Sequence, residues 1–339
     1  MLSTFPLLTP SLAIIIGFIV LVWGADKFVL GGAASARCFG VSPMIIGLTI
    51  IGFGTSAPEM LVSAVAAFDG TPNLAIGNAI GSNITNIALV LGAAAITTPL
   101  FVKSEILKRE YPIMFAVMLL TLIVMWDLHL TLTDGIILII GLFLIMGWMV
   151  HIGLKENQSS KQANTTAPSA DDDPLAEEFD SEIPHLKLNV ALFWLFFGFV
   201  LLLGSSKILV WGATEVAVHF GVDELIIGLT IVALGTSLPE LAATIMSALK
   251  GEHDLAIGNI LGSNIFNLLA VIGIPAIITT IELDQQVIYR DFLSMVAVSI
   301  LLFIFAYGFK KQGRINRFEG FLLLSLYIAY MGWIYIEAV

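Results

Sequence analysis

Gly54-Thr55-Ser56-Ala57-Pro58-Glu59 recurs as Gly235-Thr236-Ser237-Leu238-Pro239-Glu240, 181 residues later. A second polar cluster follows each copy at the same offset. It reads Gly77-Asn78-Ala79-Ile80-Gly81-Ser82-Asn83-Ile84-Thr85-Asn86 in the first case and Gly258-Asn259-Ile260-Leu261-Gly262-Ser263-Asn264-Ile265-Phe266-Asn267 in the second. Two motifs held in one register identify a duplicated unit. The likeness spreads outward from them. Phe39-Gly40 matches Phe220-Gly221, residues 45–50 match 226–231, and Arg109-Glu110 matches Arg290-Asp291. Met146-Gly147-Trp148 matches Met331-Gly332-Trp333 with a small slip.

The duplicated unit is built for lipid. The chain has 339 residues, 58% hydrophobic and 12% charged, where soluble domains carry about 25% charged residues. Mean hydropathy is +0.97, and apolar runs of about 20 residues match a bilayer's thickness. Too little polar surface remains to cover a large soluble helical protein. Cys38 is the single cysteine, which excludes an intrachain disulfide and a cysteine-based metal cluster. No Lys or Arg precedes Lys27, so the first apolar run reads as a retained span rather than a signal peptide. A net charge of −11 argues against nucleic-acid binding.

The expected fold is an all-α polytopic membrane protein of ten transmembrane helices. The spans fall near 10–33, 42–68, 72–99, 110–126, 131–150, 189–212, 223–249, 253–280, 287–308 and 317–337. Residues 1–154 form the first five-helix repeat, with its motif at 52–86. Residues 189–339 form the second, with its motif at 233–267. Five is odd, so the second repeat enters from the opposite side, and the two are inverted about an axis in the membrane plane. Twelve of the 15 Lys and Arg fall in the connections after spans 1, 3, 5, 7 and 9. Those connections are assigned to the cytoplasm, and both termini to the other side. The connection 155–188 is acidic, with Asp171-Asp172-Asp173 and Glu177-Glu178, and its composition predicts disorder. It reads as a tether. A calcium-sensing role is disfavoured because no Asp-x-Asp-x-Asp-Gly loop is present. Replacing 159–182 by a short flexible linker is expected to leave transport intact, since loop length changes stability only slowly. A variant that inserts normally but does not transport would give the acidic segment a regulatory role.

Glu59 and Glu240 lie deep within apolar spans, where a charge is costly and is usually functional or paired. Pairing needs an intramembrane base, and Lys27 and Lys207 are the candidates. The neighbouring residues favour a cation instead. Thr55 shares a helical face with Glu59 at i+4, as Thr236 does with Glu240. Ser82 and Asn86 share a face, as do Ser263 and Asn267, and Asn78 and Asn259 extend those faces. All these side chains offer oxygen, which suits Ca²⁺ or Na⁺ rather than zinc or copper. Interhelical hydrogen bonding explains any one of them, but less readily the same set placed twice. Pro58 and Pro239 remove the N–H that would bond Gly54 and Gly235. A broken helix there, eased by Gly52, would expose main-chain carbonyls at membrane depth. The pairs Gly77/Gly81 and Gly258/Gly262 permit close helix approach.

These two paired motifs, Gly-Thr-Ser-x-Pro-Glu and Gly-Ser-Asn-Ile-x-Asn, resemble the α-repeats of the cation/calcium exchanger superfamily, and most of all its bacterial inner-membrane sodium/calcium exchangers. The resemblance covers all ten spans. It implies an ion core of spans 2, 3, 7 and 8, with spans 1 and 6 sliding across it. It implies Glu59 and Glu240 as shared Ca²⁺/Na⁺ carboxylates, with oxygens from Thr55, Ser56, Thr236, Ser237, Ser82, Ser263, Asn86 and Asn267. Gly52 and Ala233, which open the motifs, complete the metal set. The oligomeric state is left open, a monomer being sufficient for transport, and no cofactor is expected beyond the transported ions. Some relatives, including those that move K⁺, have Asp where this chain has Asn267, so the Asn form resembles the potassium-independent type. Antiport of Ca²⁺ against Na⁺ is therefore expected, electrogenic if a third Na⁺ moves. Ca²⁺/H⁺ antiport is the alternative within the superfamily, and a cation channel the alternative outside it. No His-Glu-x-x-His motif points to an enzyme.

Overall fold

The computed structural model describes residues 7–40, 43–102, 108–163, 186–220, 233–307 and 313–338. The acidic run 171–182 and the opening of the span expected at 223–249 lie outside them. Helix α1 is Leu8–Phe39. Gly47–Thr55 (α2) and Ala57–Phe68 (α3) form one span bent by 48° at Ser56. Pro72–Thr97 follows as α4, then Glu110–Met125 as α5 and Leu132–Ala163 as α6. The second half gives α7 (Leu188–His219), α8 (Ala233–Thr236), α9 (Leu238–Leu249), α10 (His253–Ile278), α11 (Val287–Ala306) and α12 (Arg317–Ala338). Among the described residues seven helices are long and apolar enough to cross a membrane, and the bent pair makes an eighth. The shorter α5 and α9 fall within the spans expected at 110–126 and 223–249. Helix α6 continues beyond the expected end at 150 and carries the first residues of the acidic connection.

The bend at Ser56 follows from sequence. Pro58 sits in the first turn of α3, where its missing N–H is harmless, but it removes the bond that would join α3 to α2. The ladder re-forms through Ser56 N–H to Gly52 O at 3.1 Å and Met60 N–H to Ser56 O at 3.1 Å. In both repeats the helix widens to π geometry beside the last motif asparagine, at Thr85–Leu91 and Asn267–Val271. Such bulges recur at functional sites.

Helices α1 and α7 lie against each other along most of their length. An added Cβ at Gly17 would meet Leu209, at Gly24 Leu201 and at Gly31 the backbone of Leu195. The numbers rise on one helix as they fall on the other, so the pair is antiparallel. This pair builds a small apolar core with α9, through Phe28, Val29, Leu195, Leu202 and Ala243. The main core is separate from it and draws on α4, α5, α6, α10, α11 and α12. An alanine at Gly31 would place its Cβ 2.2 Å from Leu195 N. Backbone cannot step aside as a side chain can, so Gly31→Ala is expected to lower the thermal midpoint in detergent by an overpacking loss of about 1–3 kcal/mol. Gly147→Ala, with open space around it, is the matched control. Equal midpoints would mean that the two helices do not pack this closely.

The all-α expectation needs one amendment. Among the described residues four short strands occupy the connections: β1 (Leu100–Val102), β2 (His129–Leu130), β3 (Ile281–Glu282) and β4 (Gly313–Ile315). β1 pairs antiparallel with β4, and β2 with β3. Each pair joins the two repeats, and the pairs are each other's counterparts. Glycines repeat the pattern: Gly92 abuts Gly320, and Gly273 abuts Gly135. Helical periodicity does not register strands this short, which form where connections meet and pair their exposed backbone groups.

Candidate cation site

The two motif glutamates meet between the repeats. Glu59 opens α3 and Glu240 opens α9, each in the first helical turn, where helix dipoles favour negative charge. Both are completely buried, and their charges lie near enough to act on each other. Lys27 contacts neither. It pairs with Asp26 at 3.0 Å and lies over the rings of Trp23 and Trp194. Lys207 is exposed. The intramembrane salt bridge weighed from sequence is not made among the described residues.

The hydroxyls come crosswise. Spacing along a continuous helix placed Thr55 with Glu59 and Thr236 with Glu240. The bend at Ser56 breaks that continuity. Instead Thr55 and Ser56 approach Glu240 and Thr236 approaches Glu59, with Ser56 Oγ donating to Glu240 Oε1 at 3.5 Å. Each carboxylate therefore depends on the opposite repeat's motif.

Asparagines on α4 and α10 frame the site. Thr55 Oγ1 donates to Asn259 Oδ1 at 3.1 Å and shares a 3.2 Å bond with Ser263 Oγ. Asn259 Nδ2 donates to Thr244 Oγ1 at 2.9 Å. In the counterpart position Asn78 Nδ2 donates to Ser63 Oγ at 3.3 Å and to the Glu59 main chain at 3.4 Å. Asn86 Nδ2 donates to Asn264 Oδ1, and Asn267 Nδ2 to Asn83 Oδ1, both at 3.1 Å. One amide is anchored, because Asn83 Nδ2 donates to the Asn264 main-chain oxygen at 3.3 Å. A carbonyl only accepts, so Asn83 must turn its Oδ1 to Asn267. Asn267 must then give its N–H₂ and turn its own Oδ1 away.

Several buried oxygens are left without a hydrogen-bond donor among the described residues. They are both oxygens of Glu59, Glu240 Oε2, Asn86 Oδ1, Asn267 Oδ1 and Ser237 Oγ. Buried acceptors without partners are rare and call for an explanation. A hard cation supplies one, since it takes oxygen ligands from carboxylates, amides and hydroxyls. No group of three or more His, Cys, Asp or Glu suited to a metal occurs among the described residues, which leaves two carboxylates as the anionic donors.

Other expected ligands are placed less directly. Ser82 and Ser263 are buried on α4 and α10. Gly52 packs where a Cβ would lie 3.0 Å from Ser263 N, and its carbonyl already accepts from Ser56. Ala233 opens α8, and Ser237 N–H bonds Leu234 O at 3.2 Å. Of the carbonyls freed by proline, Gly235 O accepts from Ser206 Oγ at 2.8 Å and is not presented bare. Asn83 and Asn264 were not singled out from sequence as ligands. Their signal was the first asparagine of each Gly-Ser-Asn-Ile-x-Asn motif.

The profile of the sodium/calcium exchanger protein family matches residues 10–151 and 190–336. The chain is 45% identical over 325 residues to the protein named "Putative antiporter CaxA" of Alkalimonas amylolytica, covering 96% of this chain and 98% of that one. It is 38% identical to the inner membrane protein YrbG of Escherichia coli K12, covering 97% and 98%. A solved structure of the sodium-calcium exchanger NCX_Mj, soaked with Na⁺ and Sr²⁺, superposes with a TM-score of 0.78 at 31% identity, covering 96% and 98%.

Proposed function

The chain belongs to the sodium/calcium exchanger protein family, a family of cation/calcium exchange, and from that premise we propose that it is an antiporter moving Ca²⁺ against Na⁺ by alternating access. The donor-less oxygens around Glu59 and Glu240 carry the reading. Two carboxylates balance one Ca²⁺ or two Na⁺, so the site cannot hold both loads at full charge, and one ion displaces the other. A third Na⁺ per cycle makes the exchange electrogenic. Asn267 adds no third charge, and exchange needs no K⁺. The hydroxyl and amide oxygens favour Na⁺ over H⁺ as the coupling ion. The protein works as a carrier without a resident cofactor, not as an enzyme, and one chain suffices. We place it in the inner membrane, with both termini outside the cytoplasm. The antiparallel α1/α7 pair and the exchanged strand pairs support two inverted five-helix repeats.

The deciding measurement is ⁴⁵Ca²⁺ uptake into proteoliposomes under an imposed Na⁺ gradient, an imposed H⁺ gradient, or neither. Uptake is expected with the Na⁺ gradient alone, with or without K⁺, and is accelerated by an inside-positive potential, because three Na⁺ leaving for one Ca²⁺ entering carry one net positive charge outward. Uptake driven only by H⁺ would replace the coupling ion. Unitary currents far above carrier turnover would replace antiport by a channel.

A further inference from the structure

Asp26 on α1 reaches across to the second repeat. Its Oδ1 lies 2.8 Å from Lys250 Nζ, just after α9, and Lys250 also donates to the Asp26 main-chain oxygen at 3.0 Å. Lys27 holds the other oxygen at 3.0 Å. The repeat offset of 181 residues carries Asp26 to Lys207 and Lys250 to Asp69. The register is sound there: Gly17-Phe18 maps to Gly198-Phe199, Gly31 to Gly212, and Gly70 to Gly251. The counterpart of this ion pair is therefore also an acid and a base, with the signs exchanged between helix and loop. In this conformation the counterpart is open. Both Lys207 and Asp69 are exposed, and neither has an ion-pair partner among the described residues. The helices show the same asymmetry. α1 packs on α9, while α7 makes no comparable contact with α3 among the described residues.

We infer that Asp26–Lys250 and Asp69–Lys207 are two alternating latches, one at each membrane face, that hold the α1/α7 pair in opposite positions against the core. The inference rests on the alternating-access reading above. Inverted repeats reach their second state by exchanging conformations. The closed pair then opens, and its counterpart closes. The α1/α7 pair can shift as a unit because it contributes nothing to the main core. Each latch joins that unit to the end of a helix whose first turn carries a site glutamate, so latch and ion access change together. Two states linked this way shift by the difference in latch energy alone.

The test uses the full chain in proteoliposomes, with Cys38→Ser as parent. Asp26→Cys/Lys250→Cys and Asp69→Cys/Lys207→Cys are each treated with a short thiol cross-linker. Both pairs are expected to cross-link during turnover, and each cross-link to abolish exchange until it is reduced. ⁴⁵Ca²⁺ should then reach the locked site from one face in the first variant and from the other face in the second. If the 69/207 pair fails to cross-link under any ion condition while 26/250 does, or if both locked forms admit Ca²⁺ from the same face, the proposal is overturned. A second measurement avoids cysteine. Lys250→Gln and Lys207→Gln should shift Ca²⁺ access toward opposite faces, and the swap Asp26→Lys/Lys250→Asp should restore the balance. Shifts in the same direction, or no rescue by the swap, would also overturn it. Loss of Na⁺-driven flux in the parent refutes the antiport reading instead, and does so independently of the cross-linking yields.

Discussion

Glu59→Gln and Glu240→Gln are each expected to abolish Na⁺-driven Ca²⁺ exchange while the protein remains folded, the largest effect expected. A unit charge about 4 Å from an ion contributes roughly 4 kcal/mol per ion charge at an effective dielectric of about 20. Ca²⁺ carries twice the charge of Na⁺, so its binding suffers more. Loss of on the order of 10³-fold or more in Ca²⁺ affinity follows. Folding moves the other way. Both carboxylates are fully buried, with no base paired to them among the described residues. Replacing such a charge by a neutral amide relieves desolvation. The thermal midpoint of each variant, measured without Ca²⁺, should equal or exceed that of the parent. Near-normal ⁴⁵Ca²⁺ flux in either variant would remove that glutamate from the ion path. Crosswise hydroxyl contacts make a further demand: Thr55→Val should damage function at Glu240 as well as at its own repeat.

Asn267→Asp has the next largest expected effect, and its geometry is specific. Asn267 gives its Nδ2 to Asn83 Oδ1 at 3.1 Å. An aspartate has no N–H to give, so two oxygens face each other there. Asn83 cannot turn to help, because its own Nδ2 is committed to the Asn264 main chain. The contact is restored only when the new carboxyl carries a proton on that side. Unprotonated, the third carboxylate attracts every cation more strongly, and divalent ions most of all. The variant should therefore exchange with a steep pH dependence between pH 6 and 9 and with altered ion preference, while the parent remains indifferent to K⁺. Flux measured across that range, with and without K⁺, checks both statements. A parent that requires K⁺, or a variant with the parent's pH and ion profile, would mean that Asn267 does not face the ions.

The sequence made the duplication and the two carboxylates readable because a charge in an apolar span has few bland explanations. The break at Pro58 was readable for the same local reason: proline removes a defined hydrogen bond. What could not be read was which residue meets which. The i, i+4 rule gave Thr55 to Glu59, whereas the bend hands Thr55 to Glu240. Asn83 and Asn264 were visible as letters but not as positioners, since their role depends on a carbonyl 181 positions away in the other repeat. The carbonyl of Gly235 was expected bare, and Ser206 from a distant helix covers it. Local chemistry survives in one dimension, but partnership across a pseudo-symmetric interface does not.

The strand pairs have a consequence for how the protein is made. β1 leaves the ribosome long before its partner β4, with Leu100 opposite Ile315. β2 likewise waits for β3. The first half of the chain is thus made with two sets of backbone groups unpaired and half of the proposed ion site, whose carboxylate lacks its crosswise hydroxyl. Contacts this distant in sequence form late. The first repeat alone should be a substrate for membrane quality control, and it should persist only when the second repeat is supplied, even as a separate polypeptide.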